Sequence, residues 1–265
     1  GMGGGMGHDN LEISNNWIRG GPAYIKPNGV GGFLYYYTNE NANVNLNFNY
    51  NFGRGFRDAV NFNGYSVFLN VVPNNALRIS LGPNYSIFQR LDQYVTQVQL
   101  ENETRYIVSE VDQKTLSVTM RLNYNITPDL TIQYYGQPFI SRGRYKNFRR
   151  ILDPKADAYF DRHELIGENE ISFDQDENRY YVDDDLDRAF DYDFRNPDFS
   201  VIQFRSNLVA RWEYIPGSEI FLVWSQSNNA FDDPSRDLVP SLWDNLFGTK
   251  AHNIFLIKAT YRWVR

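Results

Sequence analysis

Residues 43–52 read Asn43-Val-Asn-Leu-Asn-Phe-Asn-Tyr-Asn-Phe52, with asparagine at every odd position and an apolar or aromatic residue at every even one. A β-strand sends successive side chains to opposite faces. This stretch therefore presents Val44, Leu46, Phe48, Tyr50 and Phe52 on one side and a row of amides on the other. A helix has no use for the pattern, because a period of two smears around a 3.6-residue turn. The apolar face needs a cover. In a soluble sandwich the cover is a second sheet. In an outer-membrane barrel it is lipid, and the amides line a wet lumen.

The alternation recurs downstream. In 115–126, Leu116, Val118, Met120, Leu122, Tyr124 and Ile126 alternate with Thr115, Ser117, Thr119, Arg121, Asn123 and Asn125. In 202–214, Ile202, Phe204, Leu208, Ala210, Trp212 and Tyr214 alternate with Gln203, Arg205, Asn207, Arg211 and Glu213. The last strand sets Phe255, Ile257, Ala259, Tyr261 and Trp263 against Lys258, Thr260 and Arg262. Charges in mid-strand are excluded from a sandwich core, although the solvated outer face of a sandwich accepts them.

Strands are expected near 11–24 (interrupted by Gly20-Gly21-Pro22), 30–38, 43–53, 61–72, 76–88, 92–101, 104–111, 114–127, 129–140, 199–215, 219–227 and 252–264. The fold class expected is all-β: an antiparallel transmembrane β-barrel with about twelve visible strands, complete in itself or part of a larger barrel. Residues 1–10, rich in glycine, read as flexible, and 11–265 as the barrel domain with an acidic loop insertion at 141–198. Pro73-Asn74-Asn75, Thr127-Pro128-Asp129 and Pro216-Gly217-Ser218 carry tight-turn residues and fall on one end of the sheet. The long connections, 141–198 and 228–251, fall on the other, the asymmetry of short periplasmic turns and long extracellular loops. Tyr134, Tyr135, Tyr214, Trp212, Trp224 and Trp263 lie near the expected strand ends, where an aromatic girdle would sit. Gln137-Pro138-Phe139 is expected to end its strand or to flank a bulge, since proline removes a ladder hydrogen bond. Residues 240–248 read as a short amphipathic helix with Ser241 as N-cap and Gly248 as its stop.

Composition agrees with a barrel wall. Across 265 residues there are 19 Tyr, 19 Phe and 5 Trp, yet mean hydropathy is −0.53. No run of 18 apolar residues offers a transmembrane helix. The absence of cysteine excludes a disulfide framework and a Cys-ligated zinc site. A net charge of −6 makes nucleic acid a poor partner. The N-terminal residues lack a signal-peptide pattern, so the expectation is that a signal was removed or that the chain is the C-terminal piece of something longer.

Half of the 32 acidic residues lie in 153–198. Carboxylates spaced by two, at Asp174, Asp176, Asp183, Asp185 and Asp187, are a candidate calcium set, although the complete EF-hand pattern with its Gly and Glu is absent. The alternative is a solvated acidic loop. Tyr180, Tyr181, Phe190, Tyr192 and Phe194, interleaved with the acids, argue for a folded loop. The three histidines, His8, His163 and His252, have no ligand spacing, and no nucleophile, zinc or phosphate-loop motif occurs. No catalytic residue is assigned, and the chain reads as a non-enzyme.

Trp17-Ile-Arg-Gly-Gly-Pro22, Thr127-Pro-Asp-Leu130, Gln133-Tyr-Tyr-Gly-Gln-Pro-Phe139, Asn196-Pro-Asp-Phe199, Arg205-Ser-Asn-Leu-Val-Ala-Arg-Trp-Glu-Tyr214 and Phe221-Leu-Val-Trp-Ser-Gln226 together resemble one family. It is the C-terminal outer-membrane β-barrel domain of Bacteroidetes-type proteins that carry an N-terminal module similar to family 9 carbohydrate-binding domains. The resemblance implies a bacterial outer-membrane location, lipid as a partner and a binding domain or other envelope proteins alongside, and it supplies no mechanism.

The function expected is a pore, transport or anchoring component of the outer membrane. Its lumen would be lined by Arg121, Arg205, Arg211, Lys258 and Arg262, with the acidic insertion folded in as a plug that pairs with them. The alternatives are a surface or soluble β-sandwich that binds glycans with calcium, and a hydrolase using carboxylates of the insertion.

Overall fold

The computed structural model describes residues 1–100, 103–248 and 250–263. It contains β1 (Met2–Asp9), β2 (Glu12–Ser14), β3 (Tyr24–Lys26), β4 (Gly29–Tyr37), β5 (Val44–Gly55), β6 (Val60–Asn74), β7 (Leu77–Gln99), β8 (Thr104–Thr127), β9 (Leu130–Ile151), β10 (His163–Leu165), β11 (Ile171–Asp174), β12 (Arg179–Val182), β13 (Tyr192–Arg195), β14 (Phe199–Ile215), β15 (Ser218–Phe231), α1 (Leu238–Gly248) and β16 (His252–Ala259). The chain is all-β with one dominant antiparallel sheet, in the order β1-β4-β5-β6-β7-β8-β9-β14-β15-β16, and β10 pairs with β9.

The sheet path is open. The closed barrel expected from the sequence is not formed, because β1 pairs only with β4 and β16 only with β15 among the described residues. Residues 2–9, expected to be flexible, form β1, whose glycines lie opposite Phe33, Leu34 and Tyr35 of β4. The strand expected at 11–24 is instead the short β2–β3 pair. The strands expected at 76–88 and 92–101 are one strand, β7, with a register shift between Arg90 and Gln93 in place of a turn. Those at 104–111 and 114–127 also join, as β8, because Asp112, Gln113 and Lys114 continue the ladder opposite Arg144, Gly143 and Arg142. The strand expected at 252–264 ends at Ala259, after which the pairing with β15 stops; residues 101 and 264, the last of the strands expected at 92–101 and 252–264, lie outside the described residues.

β9 runs on to Ile151, through Pro138. Pro138 pairs with Phe204 of β14, while the ladder to β8 lacks pairs between Ser117 and Met120. The missing N–H thus interrupts one side of the strand without ending it. The turns at 74–77, 127–130 and 215–218 share one end of the sheet, and the connections at 152–198 and 232–251 share the other. Gly217 has φ +80, the value a tight turn demands of the residue after Pro216.

Register assigns every side chain of the sheet to a face. Directly paired residues share a face, so the row Tyr50–Tyr65–Tyr85–Leu116–Ile140–Ile202–Ala230 lies on one side. On that side β7 shows Leu77 to Ile87, β8 Leu116 to Ile126 and β9 Leu130 to Ile140, without one charged residue. Charges begin beyond it, with Lys114 opposite Arg142 and Asp112 opposite Arg144. Part of the row is covered by α1, whose Leu238 and Leu242 pack on Ile140, Ile202 and Ala230. The helix begins at Leu238, so Ser241 is inside it and donates its hydroxyl to Asp232 (2.5 Å) instead of capping. Of the expected girdle, Trp212 lies at the short-turn end of the apolar side. Tyr134 and Trp224 sit at mid-height, level with Leu208, and Tyr135 is on the opposite face, beside Arg121.

Candidate functional site

The opposite face of the sheet is polar. Arg121 lies opposite Ser80 and Tyr135, Arg205 opposite Gln137 and Ser227, Arg211 opposite Thr131 and Phe221, and Lys258 opposite Phe221. These four cations therefore share one face across β8, β14 and β16. Arg262 lies past the end of β16, where its backbone N–H donates to Ser218 Oγ (2.9 Å). Arg78 of β7, opposite Asn123, belongs with them and was overlooked, although it stands in the alternating run Leu77-Arg-Ile-Ser80. The Arg121 guanidinium lies 5.7 Å from the Tyr135 ring centre and the Lys258 ammonium 5.8 Å from that of Phe221. Arg211 donates from Nε to Glu219 (2.8 Å). Toward β5 the same face is a neutral ladder: Asn70 donates to Asn45 (2.9 Å) and Ser80 donates to Asn70 (2.6 Å).

The acidic insertion does not reach these cations. Among the described residues none of its carboxylates pairs with Arg121, Arg205, Arg211, Lys258 or Arg262. The expected plug is replaced by a small three-stranded sheet, β11-β12-β13. This sheet packs through Val182, Tyr192 and Phe194, together with Ile166 from the segment before it, on Ile107 and Phe148, where β8 and β9 extend past the apolar rows. Phe148 meets Phe194 edge-on at 5.0 Å and Tyr180 at 4.5 Å, contacts each worth about 0.5–1.5 kcal/mol beyond the area they bury. The interleaved aromatics are the core of the insertion.

Arg150 ties the insertion to β9. It donates to Glu164 (2.9 Å), Glu170 (2.8 Å) and Asp184 (2.5 Å), and Arg105 of β8 also pairs with Asp184. Burial pushes the Glu170 carboxyl up, but the Gly167 amide and the Arg150 guanidinium outweigh it and hold it below the usual carboxylate range. A depressed folded pKa means stabilisation that is complete above the ordinary glutamate pKa of about 4.3 and lost as pH falls through the folded value. Arg150→Met is expected to loosen the insertion by about 1–2 kcal/mol, the worth of charge-assisted hydrogen bonds reduced for partial exposure. Hydrogen exchange over 163–195 should rise in the variant at neutral pH, while in the wild type the Glu170 contribution should be lost only as pH falls below the ordinary glutamate range. Unchanged exchange in Arg150→Met would remove Arg150 as the tie.

Of the five candidate calcium ligands the fold assembles three. Carboxylate oxygens of Asp183, Asp185 and Asp187 lie within 4.8 Å of one another. Asp174 and Asp176 sit apart in the β11–β12 turn, where Asp174 accepts the amides of Asp176 (2.8 Å) and Glu177 (2.9 Å). The three-carboxylate loop is shaped by Leu186 at φ +60 and Arg188 at φ +77. These turns aim the Asp187 amide at Asp183 (3.2 Å) and Asp185 (3.1 Å) and the Arg188 amide at Asp183 (2.9 Å). Three hard oxygen donors fit calcium or magnesium in kind and fall short of a full calcium shell of 6–8 in number. Beside them Arg105, Arg150, Glu103, Glu164, Asp184 and Asp185 line an open cavity of about 660 Å³.

A buried cluster near β7 was not visible in the sequence. Asp92, fully buried, accepts hydrogen bonds from Trp17 Nε1 (3.1 Å) and Arg90 Nε (3.0 Å). The Arg90 guanidinium lies 3.4 Å from the Trp17 ring centre. Trp17 stacks on Tyr24 at 6.2 Å. Burial, reinforced by the Asp92 charge, pushes the phenols of Tyr24 and Tyr159 up. His163, buried against Tyr159, is held neutral first by burial and then by the Arg149 charge, both of which lower its pKa. Trp17 and Asp92 are 75 positions apart, so no local spacing could have signalled the pair.

Residues 17–262 match a family described as a domain of unknown function (DUF5916), and the chain belongs to that family. No curated protein and no solved structure matches it.

Proposed function

We propose that this member of the DUF5916 family is a wall of an outer-membrane β-barrel, serving as a pore, transport or anchoring component of the bacterial envelope. One observation carries the reading: the charge-free apolar face on adjacent strands. On β8 it spans Leu116 to Ile126. At about 3.3 Å per residue and a tilt near 40–45°, that run covers about 25 Å, the height of the lipid-facing band of such barrels. The face carries large exposed side chains, with Leu81 at 40%, Leu222 at 49% and Ile257 at 75%. Water tolerates a patch of that extent poorly; among the described residues no second sheet covers it, and α1 lies only over its row at Leu116, Ile140, Ile202 and Ala230. The edges of β1 and β16 would meet directly or through further strands. The short turns would face the periplasm, with the insertion and α1 outside. A neighbouring carbohydrate-binding module and a Bacteroidetes origin belong to the same proposal.

The test is membrane fractionation followed by electrophoresis with and without boiling. The reading expects the chain only in the outer-membrane fraction, with a folded band that shifts on heating. A chain that stays soluble without detergent and shows no shift would overturn it.

The carboxylate loop beside its cavity of paired arginines and carboxylates favours a second role, cation-dependent recognition of a ligand such as a glycan by the insertion. Extracellular calcium sites have dissociation constants of about 0.1–1 mM. Calcium at about 10 mM is then expected to stabilise the insertion by about 1.4–2.7 kcal/mol. The gain should vanish in Asp185→Asn/Asp187→Asn. Equal thermal unfolding of the insertion with calcium and with chelator would remove this role.

A further inference from the structure

We infer that the polar face selects anions, so that the solutes it admits are small carboxylates, phosphates or halides; this rests on the barrel reading above. At the height of the apolar band, the polar face carries Arg78, Arg121, Arg205 and Lys258, and no carboxylate lies within 4.0 Å of any of them among the described residues. Among the described residues, Glu213 and Glu219 stand on that side at the short-turn end and both pair with Arg211, and Glu40 of the β4–β5 turn, at the same end, lines a pocket with Asn45, Asn70 and Arg78 without pairing with Arg78.

The rest of the face is amide, hydroxyl and aromatic, from the Asn45–Asn70–Ser80 ladder to Tyr135, whose hydroxyl donates to Gln137 (2.8 Å). Gln137 stands opposite Arg205, and Tyr135 opposite Arg121. The two guanidiniums therefore flank one neutral pair on β9, two strands apart and offset by two residues. Guanidinium groups keep their charge at any physiological pH and present forks of donors to carboxylate and phosphate. Charge of one sign along a low-dielectric wall concentrates the opposite ion, and rings of arginine and lysine are how anion pores select.

The experiment is conductance of the purified full chain in planar bilayers across a potassium chloride gradient. Chloride is the probe, and the heat shift is measured on the same preparation. The expected permeability ratio of chloride to potassium is about three or more, the low end of electrostatic focusing once salt screening is allowed for. Arg121→Glu/Arg205→Glu should bring it below one. Arg121→Gln/Arg205→Gln, which adds no charge to the wall, should bring it toward one. A wild-type ratio at or below one overturns the anion assignment. So does a heat-shifting protein that conducts nothing, and both results leave the barrel standing. Absence of conductance together with absence of the heat shift removes the barrel itself.

Discussion

Asp92→Ala is expected to destabilise the chain by about 3–5 kcal/mol, the cost of removing one partner from a buried ion pair. The carboxylate is fully buried, so no water replaces it when it is lost. Arg90, its side chain only 15% exposed, keeps its charge without a counter-ion. Trp17 Nε1 loses its acceptor as well, and an unmet buried donor adds about 1–3 kcal/mol within that total. The damage should be local first. Trp17, Tyr24 and the segment between β1 and β4 are held on the sheet by this cluster, while the ladders of β5 to β9 do not depend on it. Limited proteolysis should therefore cut within 10–28 before the sheet unfolds. Asp92→Asn keeps an acceptor and should fall between wild type and alanine. If Asp92→Ala unfolds at the wild-type denaturant midpoint, the cluster has no structural role.

The strands were legible because their signal is local. Period-two alternation located β5 and β14 within two residues, split β8 in two and ran past the end of β16 at Ala259, and register placed Arg121, Arg205, Arg211 and Lys258 on one face as their parity required. Errors arose where strands leave the apolar band. Arg90–Gln93 and Asp112–Lys114 look like connections because their polarity breaks the pattern, yet backbone pairing there is indifferent to side-chain polarity. β1 was lost for a related reason: glycine has no side chain to alternate. The Asp183–Asp185–Asp187 cluster followed from spacing. The links from Arg150 to Glu164, Glu170 and Asp184, and from Asp92 to Trp17, are tertiary, and nothing in a neighbouring window encodes them.

The stretch that decided the fold also supplies the sharpest test of what covers it. Phe48 lies in the middle of the apolar run of β5, opposite Tyr36 and Val67. Asn49, the next residue, faces the other way, opposite Tyr35 and Ser66. If the apolar face meets lipid, Phe48→Arg places a guanidinium near the bilayer midplane and is expected to cost about 2–4 kcal/mol. Asn49→Arg, one residue away on the exposed polar face, should cost less than about 0.5 kcal/mol, as an exposed surface substitution does. The contrast is the measurement, read from denaturant midpoints of each variant folded into vesicles. In water Asn49 is exposed and Phe48 is partly buried, and a partly buried phenylalanine exchanged for arginine, whose aliphatic stem still covers its neighbours, loses only part of its transfer free energy, about 1–2 kcal/mol. A penalty of about 3 kcal/mol or more confined to position 48 exceeds that loss and points to a medium that rejects charge on that side of the sheet. Equal and small effects at 48 and 49 would mean that water, not lipid, covers the apolar face.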